Sequence, residues 1–400
     1  MDKFPRFFSA FHGRRLPRIP LFFARFFHEL SSVRNLRASL GILSLFALFT
    51  VIFLMQQQLT AWQIENLNVD PQKKYILLYK VPPWMEALEA GDECVITTNE
   101  KLLPSIEMYD AMVFSSESQI NFPEKRSPDQ LYVFTSRESP LYTKNNYQKD
   151  LMQYNLTMTY RRDSDVFWPS GFIADAAIDA SAWEFRPPKW KHAVFEKYGA
   201  NVKLTSIIAD KSKFSAWLKS QCTDKSMRID FMSILENYIE IDIYGECGRL
   251  DCPGTQDECL EMVERDYFFI FIAENSICKD FITEALFSAM RYYIVPVVYG
   301  GANYGDFLPP HSFIDANKFK RTTELADYLQ RLASDPTEYA KFFWWKKFYP
   351  QVRTKRTLRG LCRAIQEFST RPAKTGKIAN IQSWWQDDSQ CAQAPKIQLI

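Results

Sequence analysis

From about residue 75 onward, short runs of β-branched and aromatic residues alternate with polar stretches that carry apolar residues at helical spacing. YILLY, ECVIT, AMVFSS and LYVFTSRESP are apolar over most of their length, as strands covered on both faces are. With the stretches between them they predict a first α/β domain over residues 75–190. WEFRPPKWK (Trp183–Lys191) breaks the rhythm with two consecutive prolines and marks the boundary. A second series fills residues 191–370: a strand near Val202–Ile208, a helix over Lys213–Ser220, a strand at Ile239–Gly245, then a compact β-α-β unit. In that unit DYFFIFI (Asp266–Ile272) and IVPVVYG (Ile294–Gly300) are parallel strands, and Asp280 caps a helix that runs to about Arg291. ELADYLQRLAS and PTEYAKFFWWKKFY predict two late helices, with Phe342, Phe343, Trp344 and Trp345 as packing residues, and 371–400 reads as a C-terminal tail. The pattern predicts two α/β domains joined by a proline-rich hinge, with a cleft between them.

Before these domains the pattern changes. ASLGILSLFALFTVIFLM (Ala38–Met55) holds no charge, and as a helix at ~1.5 Å per residue it spans roughly 27 Å, enough to cross a thin membrane. A cleaved signal peptide would have a shorter apolar region nearer the terminus, ending in small residues. Residues 1–37 carry eight basic side chains against Asp2 and Glu29, so the positive-inside rule keeps this tail in the cytosol and sends the chain after the anchor into a lumen. Residues 56–74 are polar without an apolar period and read as a stem. Eight cysteines fit an oxidising lumen, and Asn155-Leu156-Thr157 is a glycosylation acceptor. The crowded YGECGRLDCPGTQDEC lacks C-x₂-C knuckles and a nearby histidine, which favours disulfides over zinc, although eight cysteines allow 105 pairings. The formal net charge is +2 with both signs mixed along most of the chain, so nothing electrostatic points to a nucleic-acid partner.

In a parallel sheet, ligands bind outside the carboxyl ends of the strands, which is where AENSICKDFITEAL would place Glu274, Asn275 and Ser276. Polar residues at strand ends are common, and the surroundings are what make this stretch specific. ENSxxxDFxTE is followed by VPVVYG and DFLPPHSFI, and MTYRRDSDVF lies upstream. Together these motifs resemble the α1,3-fucosyltransferases of the secretory pathway over roughly residues 75–365. The resemblance implies a GT-B fold of two Rossmann-like domains, the second binding GDP-fucose. It also implies inverting transfer of fucose to an N-acetylglucosamine-containing glycan of glycoproteins or glycolipids. It further implies that no cofactor or metal is required, with Mn²⁺ or Mg²⁺ at most stimulatory. The anchor, tail and stem match a single-pass type II protein of the Golgi membrane, and homodimerisation through stem and membrane segments stays open.

An inverting transfer needs one base for the acceptor hydroxyl, and cations or amide donors for the charge growing on the diphosphate. The resemblance assigns the base to Glu138 in FTSRESPLY. It puts Glu274, Asn275 and Glu284 near the fucose and diphosphate, Tyr244 beside the guanine, and Tyr160 and Arg161 along the cleft. Asp163-Ser164-Asp165 looks like the metal-binding D-x-D of another glycosyltransferase fold, but here it reads as structural, held by Arg162 or Lys189. Three departures stand out. Ala285 replaces a lysine that follows the glutamate in the family. An expected S-N-C-x₄-R arginine has its nearest counterpart in TSIIADKSKF, which offers Ser206 and Lys213, and lysine does not reproduce a bidentate guanidinium clamp. A paired-cysteine element near the C-terminus is reduced to Cys362, with Cys391 as a substitute partner. Two functions follow: an active transferase, or a weak or inactive paralogue that binds glycans, nucleotide or another transferase.

Overall fold

The computed structural model describes residues 44–56, 69–88, 91–119, 121–143, 153–174, 189–219, 222, 225–354, 357–369, 380–392 and 396–399. Residues 44–56 are helical, with mostly exposed side chains. Among the described residues no helix is long and apolar enough to cross a membrane. The rest of the predicted 38–55 anchor, and the tail before it, lie outside the described residues.

From Asp70 onward two parallel sheets carry the chain. The first contains β1 (Lys74–Leu78), β2 (Cys94–Thr97), β3 (Ala111–Ser115), β4 (Leu131–Ser136), β5 (Leu156–Thr159) and β6 (Val166–Phe167), in the order β2-β1-β3-β4-β5-β6. After the short β7 (Phe172–Ala174), the second contains β8 (Lys213–Leu218), β9 (Ile241–Tyr244), β10 (Tyr267–Ala273), β11 (Val295–Tyr299) and β12 (Ile314–Asp315), in the order β12-β11-β10-β8-β9. All neighbours within both sheets are parallel, and β13 (Gln351–Arg353) returns to pair antiparallel with β7. Parallel strands need cover on both faces, and β3, β4 and β11 are buried at every position. Phe342, Phe343, Trp344 and Trp345 lie in the two cores of the second half.

The opening of the second half reverses the predicted elements. Val202–Asp210 is a helix: the Asn201 side chain accepts from the Leu204 N–H as its N-cap, and Leu204 and Ile208, four residues apart, face the core. KFSAWL is instead β8, a central strand bonded to both β9 and β10. Asp280 is not the cap of the next helix. It adopts a left-handed conformation (φ 60°), and its carboxylate accepts from the Arg162 N–H at 3.1 Å. Thr283 occupies the N-cap of a shorter helix, Glu284–Met290.

The segment after β13 does not stay with the second sheet. Leu361, Cys362, Ile365 and Phe368 of the helix Arg359–Ser369 share a core with Ile76, Val113 and Val133 of the first sheet. Cys362 is disulfide-bonded to Cys94 in β2, not to Cys391. Cys391 pairs with Cys278, and Cys222–Cys247 and Cys252–Cys259 complete the set, so all eight cysteines are paired. The predicted tail is also ordered in part: Trp385 is fully buried against Phe134 and Tyr160, and Ala392 bridges to Ile277. The 183–191 boundary falls largely outside the described residues.

The predicted glycosylation acceptor, Asn155, lies in the interior. Asn155 is 5% exposed, and its side-chain oxygen accepts from the Tyr132 N–H at 2.9 Å and from Arg126, at the start of β5. A glycan on this amide would have to leave through packed strands. Asn155→Ala strands a buried N–H, a loss of about 1–3 kcal/mol readable in denaturant unfolding of the purified chain. The wild-type protein from animal cells should keep its mobility after glycosidase treatment, and a shift that Asn155→Gln abolishes would refute the assignment.

Candidate active site

β10 delivers Glu274, Asn275 and Ser276 to the carboxyl end of the second sheet, all three buried. The Glu274 carboxylate accepts from the Thr283 N–H at 2.8 Å and from the Thr283 hydroxyl at 3.1 Å. Burial pushes its pKa up to about 7, against the pull of those two hydrogen bonds and of the Arg228 charge; the nearby Glu138 adds a smaller upward push. A second segment is laced along the same strand end. Lys225 N–H donates to Asn275 O, the Ser226 hydroxyl to Glu274 O at 2.8 Å, and Arg228 Nη1 to Ala273 O at 2.8 Å. Between them Met227 holds a left-handed conformation (φ 56°), which costs a non-glycine residue energy and turns the chain so that Arg228 starts its helix beside Glu274.

The first sheet presents its own carboxyl ends to this tip. Arg137, Glu138 and Ser139 follow β4, and the Ser139 hydroxyl lies 2.6 Å from that of Ser276, both fully buried. Glu138 is half-buried, and its charge is felt at both Glu274 and Tyr160. A carboxylate of one sheet and the acid, amide and guanidinium of the other thus converge on facing strand ends.

Other predicted residues are placed elsewhere. Lys213 opens β8 at its amino end and pairs with Asp242 at 3.3 Å, so it stands at the wrong end of the sheet. The Tyr244 hydroxyl bonds that of Tyr267 at 2.7 Å in the interior, where it is not free to meet a base. Arg161 is fully buried and donates to Asp163, to the Trp384 carbonyl and to Ser389. Tyr160 packs against Phe281 and Trp385, and burial raises its hydroxyl pKa. Glu284 and Ala285 lie exposed on the first turn of their helix.

The D-x-D segment is held by partners other than those expected. Burial works to raise the Asp163 carboxyl, but Arg161 and Lys279 outweigh it and hold it below the usual carboxylate range. Asp165 accepts from the N–H and hydroxyl of Thr157, both at 2.8 Å. Arg162 pairs instead with Asp306. Among the described residues no cluster of histidine, cysteine and acidic side chains could hold a metal ion.

Comparison with known proteins agrees with the motif order. The profile "Glycosyltransferase family 10 (fucosyltransferase) C-term" matches residues 208–384, and "Fucosyltransferase, N-terminal" matches 55–171. The α-(1,3)-fucosyltransferase C of Drosophila melanogaster is 39% identical over 73% of this chain and 69% of its own length. This chain belongs to the family-10 glycosyltransferases, the fucosyltransferases. The α-(1,3)-fucosyltransferase fut-1 of Caenorhabditis elegans is 30% identical over 64% of this chain and 58% of its own length. A crystal structure of an α1,3-fucosyltransferase with GDP-fucose aligns at 16% identity and a TM-score of 0.46, over 76% of this chain and 93% of that one, too loosely to carry residue roles.

Within this family-10 chain, Arg228 is a buried cation at the strand tip that the motif reading did not single out. Ser220-Gln221-Cys222 followed by Arg228 is within one residue of the expected S-N-C-x₄-R spacing, a closer match than Ser206 with Lys213. Reading 213–220 as a helix hid it, because the arginine belongs just beyond the end of a strand.

The Glu274 carboxyl makes stability pH-dependent. Below pH 4.5 the folded and unfolded states are both protonated; as pH rises from there through about 7, only the folded state keeps its proton, and the associated stability is lost. The shift from 4.5 to about 7 corresponds to about 3 kcal/mol. Glu274→Gln, whose amide oxygen can still accept from Thr283, should match the wild type near pH 4 and exceed it in unfolding free energy at pH 8. Parallel curves for the two proteins from pH 4 to 8 would show that Glu274 ionises normally.

Proposed function

We propose that this chain transfers fucose from GDP-fucose in α1,3 linkage to an N-acetylglucosamine-containing glycan of glycoproteins or glycolipids, with inversion at the sugar carbon. The observation that carries this reading is the approach of Glu138, from the first sheet, to the Glu274–Ser276 tip and Arg228 of the second. Glu138 accepts the proton of the acceptor hydroxyl as its oxygen bonds the fucose carbon. The bond from that carbon to the β-phosphate oxygen breaks, and GDP leaves with the electron pair. Arg228 and the Asn275 amide are the fixed donors placed to offset the charge arriving on the diphosphate. Side chains of this kind supply the charge stabilisation without a resident metal. The uncharged run at Ala38–Met55 and the basic tail before it support a single-pass type II protein of the Golgi membrane with its catalytic part in the lumen.

Ala285, exposed beside Glu284 where the motif resemblance implies a lysine, favours a second reading, a weak or inactive paralogue that binds nucleotide or glycan without turnover. Assay of the purified chain with GDP-fucose across an acceptor panel separates the two. If it turns over, Glu138→Gln should lower kcat by about 10²-fold or more with GDP affinity unchanged. Retained turnover would leave the base unassigned. Activity should also persist in excess chelator, and a complete, metal-reversible loss would mean that an ion carries the charge instead.

A further inference from the structure

The Ser139–Ser276 contact joins residues 137 positions apart, from the carboxyl ends of opposite sheets, at 2.6 Å and with no exposure to solvent. The Ser276 hydroxyl also lies 3.0 Å from Asn275 Oδ1, which has no proton to give. A hydroxyl carries one proton, so Ser276 donates to Asn275 and Ser139 must donate to Ser276. The bonds therefore run in one direction, Ser139 to Ser276 to Asn275. This fixes the Asn275 amide with its oxygen turned toward Ser276 and its NH₂ turned away. Behind Glu138 a second pair of hydroxyls completes the hold: Ser116 donates to Ser136 at 2.6 Å, and Ser136 donates to the Glu138 carbonyl at 2.9 Å. The loop is thus pinned on both sides of Glu138.

We infer that Ser139 and Ser276 form a positioning clasp, which carries Glu138 against the donor-side strand tip and sets the Asn275 amide in the same act. The assignment rests on Glu138 being the base; neither serine touches the reacting atoms. The clasp explains why serine follows Glu-Asn in this chain: a side chain with one donor and acceptor capacity is what the chain of bonds needs at its midpoint. It also couples two roles that sequence keeps apart, since losing one hydroxyl at 276 frees both the base loop and the amide.

The test uses the purified full-length protein and reads the clasp with and without turnover. In Ser276→Ala, the amides of Arg137 and Tyr142, bonded to Glu117 and to the Ser139 carbonyl, should exchange hydrogen about tenfold faster, the scale of one neutral hydrogen bond. In the same variant kcat should fall about tenfold, more than the loss of GDP affinity or donor KM that the released Asn275 amide causes, in a protein still folded at the assay temperature. Ser276→Thr keeps the hydroxyl and should restore both. Ser139→Ala, which spares the Ser276–Asn275 bond, should speed exchange equally but cost less in kcat, and it serves if Ser276→Ala fails to fold. Unchanged exchange at 137–142 overturns the clasp, as does a kcat loss that follows GDP affinity or melting temperature. Faster exchange in a protein whose wild type transfers no fucose would sustain the clasp and refute the transferase reading.

Discussion

Glu274 ends a strand that is covered on both faces, so its carboxyl has neither water nor distance from its neighbours. A carboxyl in that position must be neutral, bonded or beside a cation: burial shifts this one toward the neutral form, Thr283 gives it two bonds, and the Arg228 charge lies nearby. The rest of the site is arranged around that requirement. Lys225–Arg228 runs along the strand end satisfying its carbonyls, at the cost of a strained Met227. Gly300, at the end of the neighbouring β11, leaves the space that a Cβ would take from the Glu274 side chain, 3.1 Å from its Cγ, and from the Tyr304 hydroxyl.

Further contacts tie the two sheets together. The end of the chain crosses between them: Trp385 fills the space beside β4 and Tyr160, Ser389 accepts from Arg161, the Ser389 carbonyl accepts from the Lys279 N–H, and Cys391 is tied to Cys278. These contacts turn Tyr160 and Arg161 from cleft-lining residues into interior ones. They also anchor the residues just after Ser276, so the tip that meets Glu138 is held from behind as well as in front. A cavity of about 760 Å³ opens beside this crossing, bordered by Arg162, Lys279, Asp280, Gln390 and Lys396, and none of the predicted site residues lines it.

Much of the site could be read from residue order, because the motif around Glu274 is local and its strand is long and uniformly apolar. Glu138 was legible for the same reason: it follows a strand whose six residues are all buried. The errors lie where local pattern is ambiguous. VKLTSIIAD and KFSAWL each contain β-branched or aromatic residues without a clean period, and only their partners decide that the first coils over the sheet and the second enters its middle. With those two exchanged, Lys213 stands at the amino end of β8, while Glu274 follows the carboxyl end of β10. Asn155 is a different case: a sequon states a chemical possibility, and its burial is decided by strand packing that the local pattern does not show.

What the sequence determined by itself is everything that depends on near neighbours: the alternation of strands and helices, the polar tip after a buried strand, the even cysteine count, and the motifs that name the family. The tertiary structure decided what depends on residues far apart. It selected one cysteine pairing from 105, sent the helix Arg359–Ser369 back to the first sheet, and brought Ser139 to Ser276. Nothing in a one-dimensional pattern encodes these, since loop-closure entropy rises only slowly with separation and many distant pairings are comparably accessible to the unfolded chain. Packing chooses among them, by the buried area and satisfied polar groups that only one arrangement supplies together.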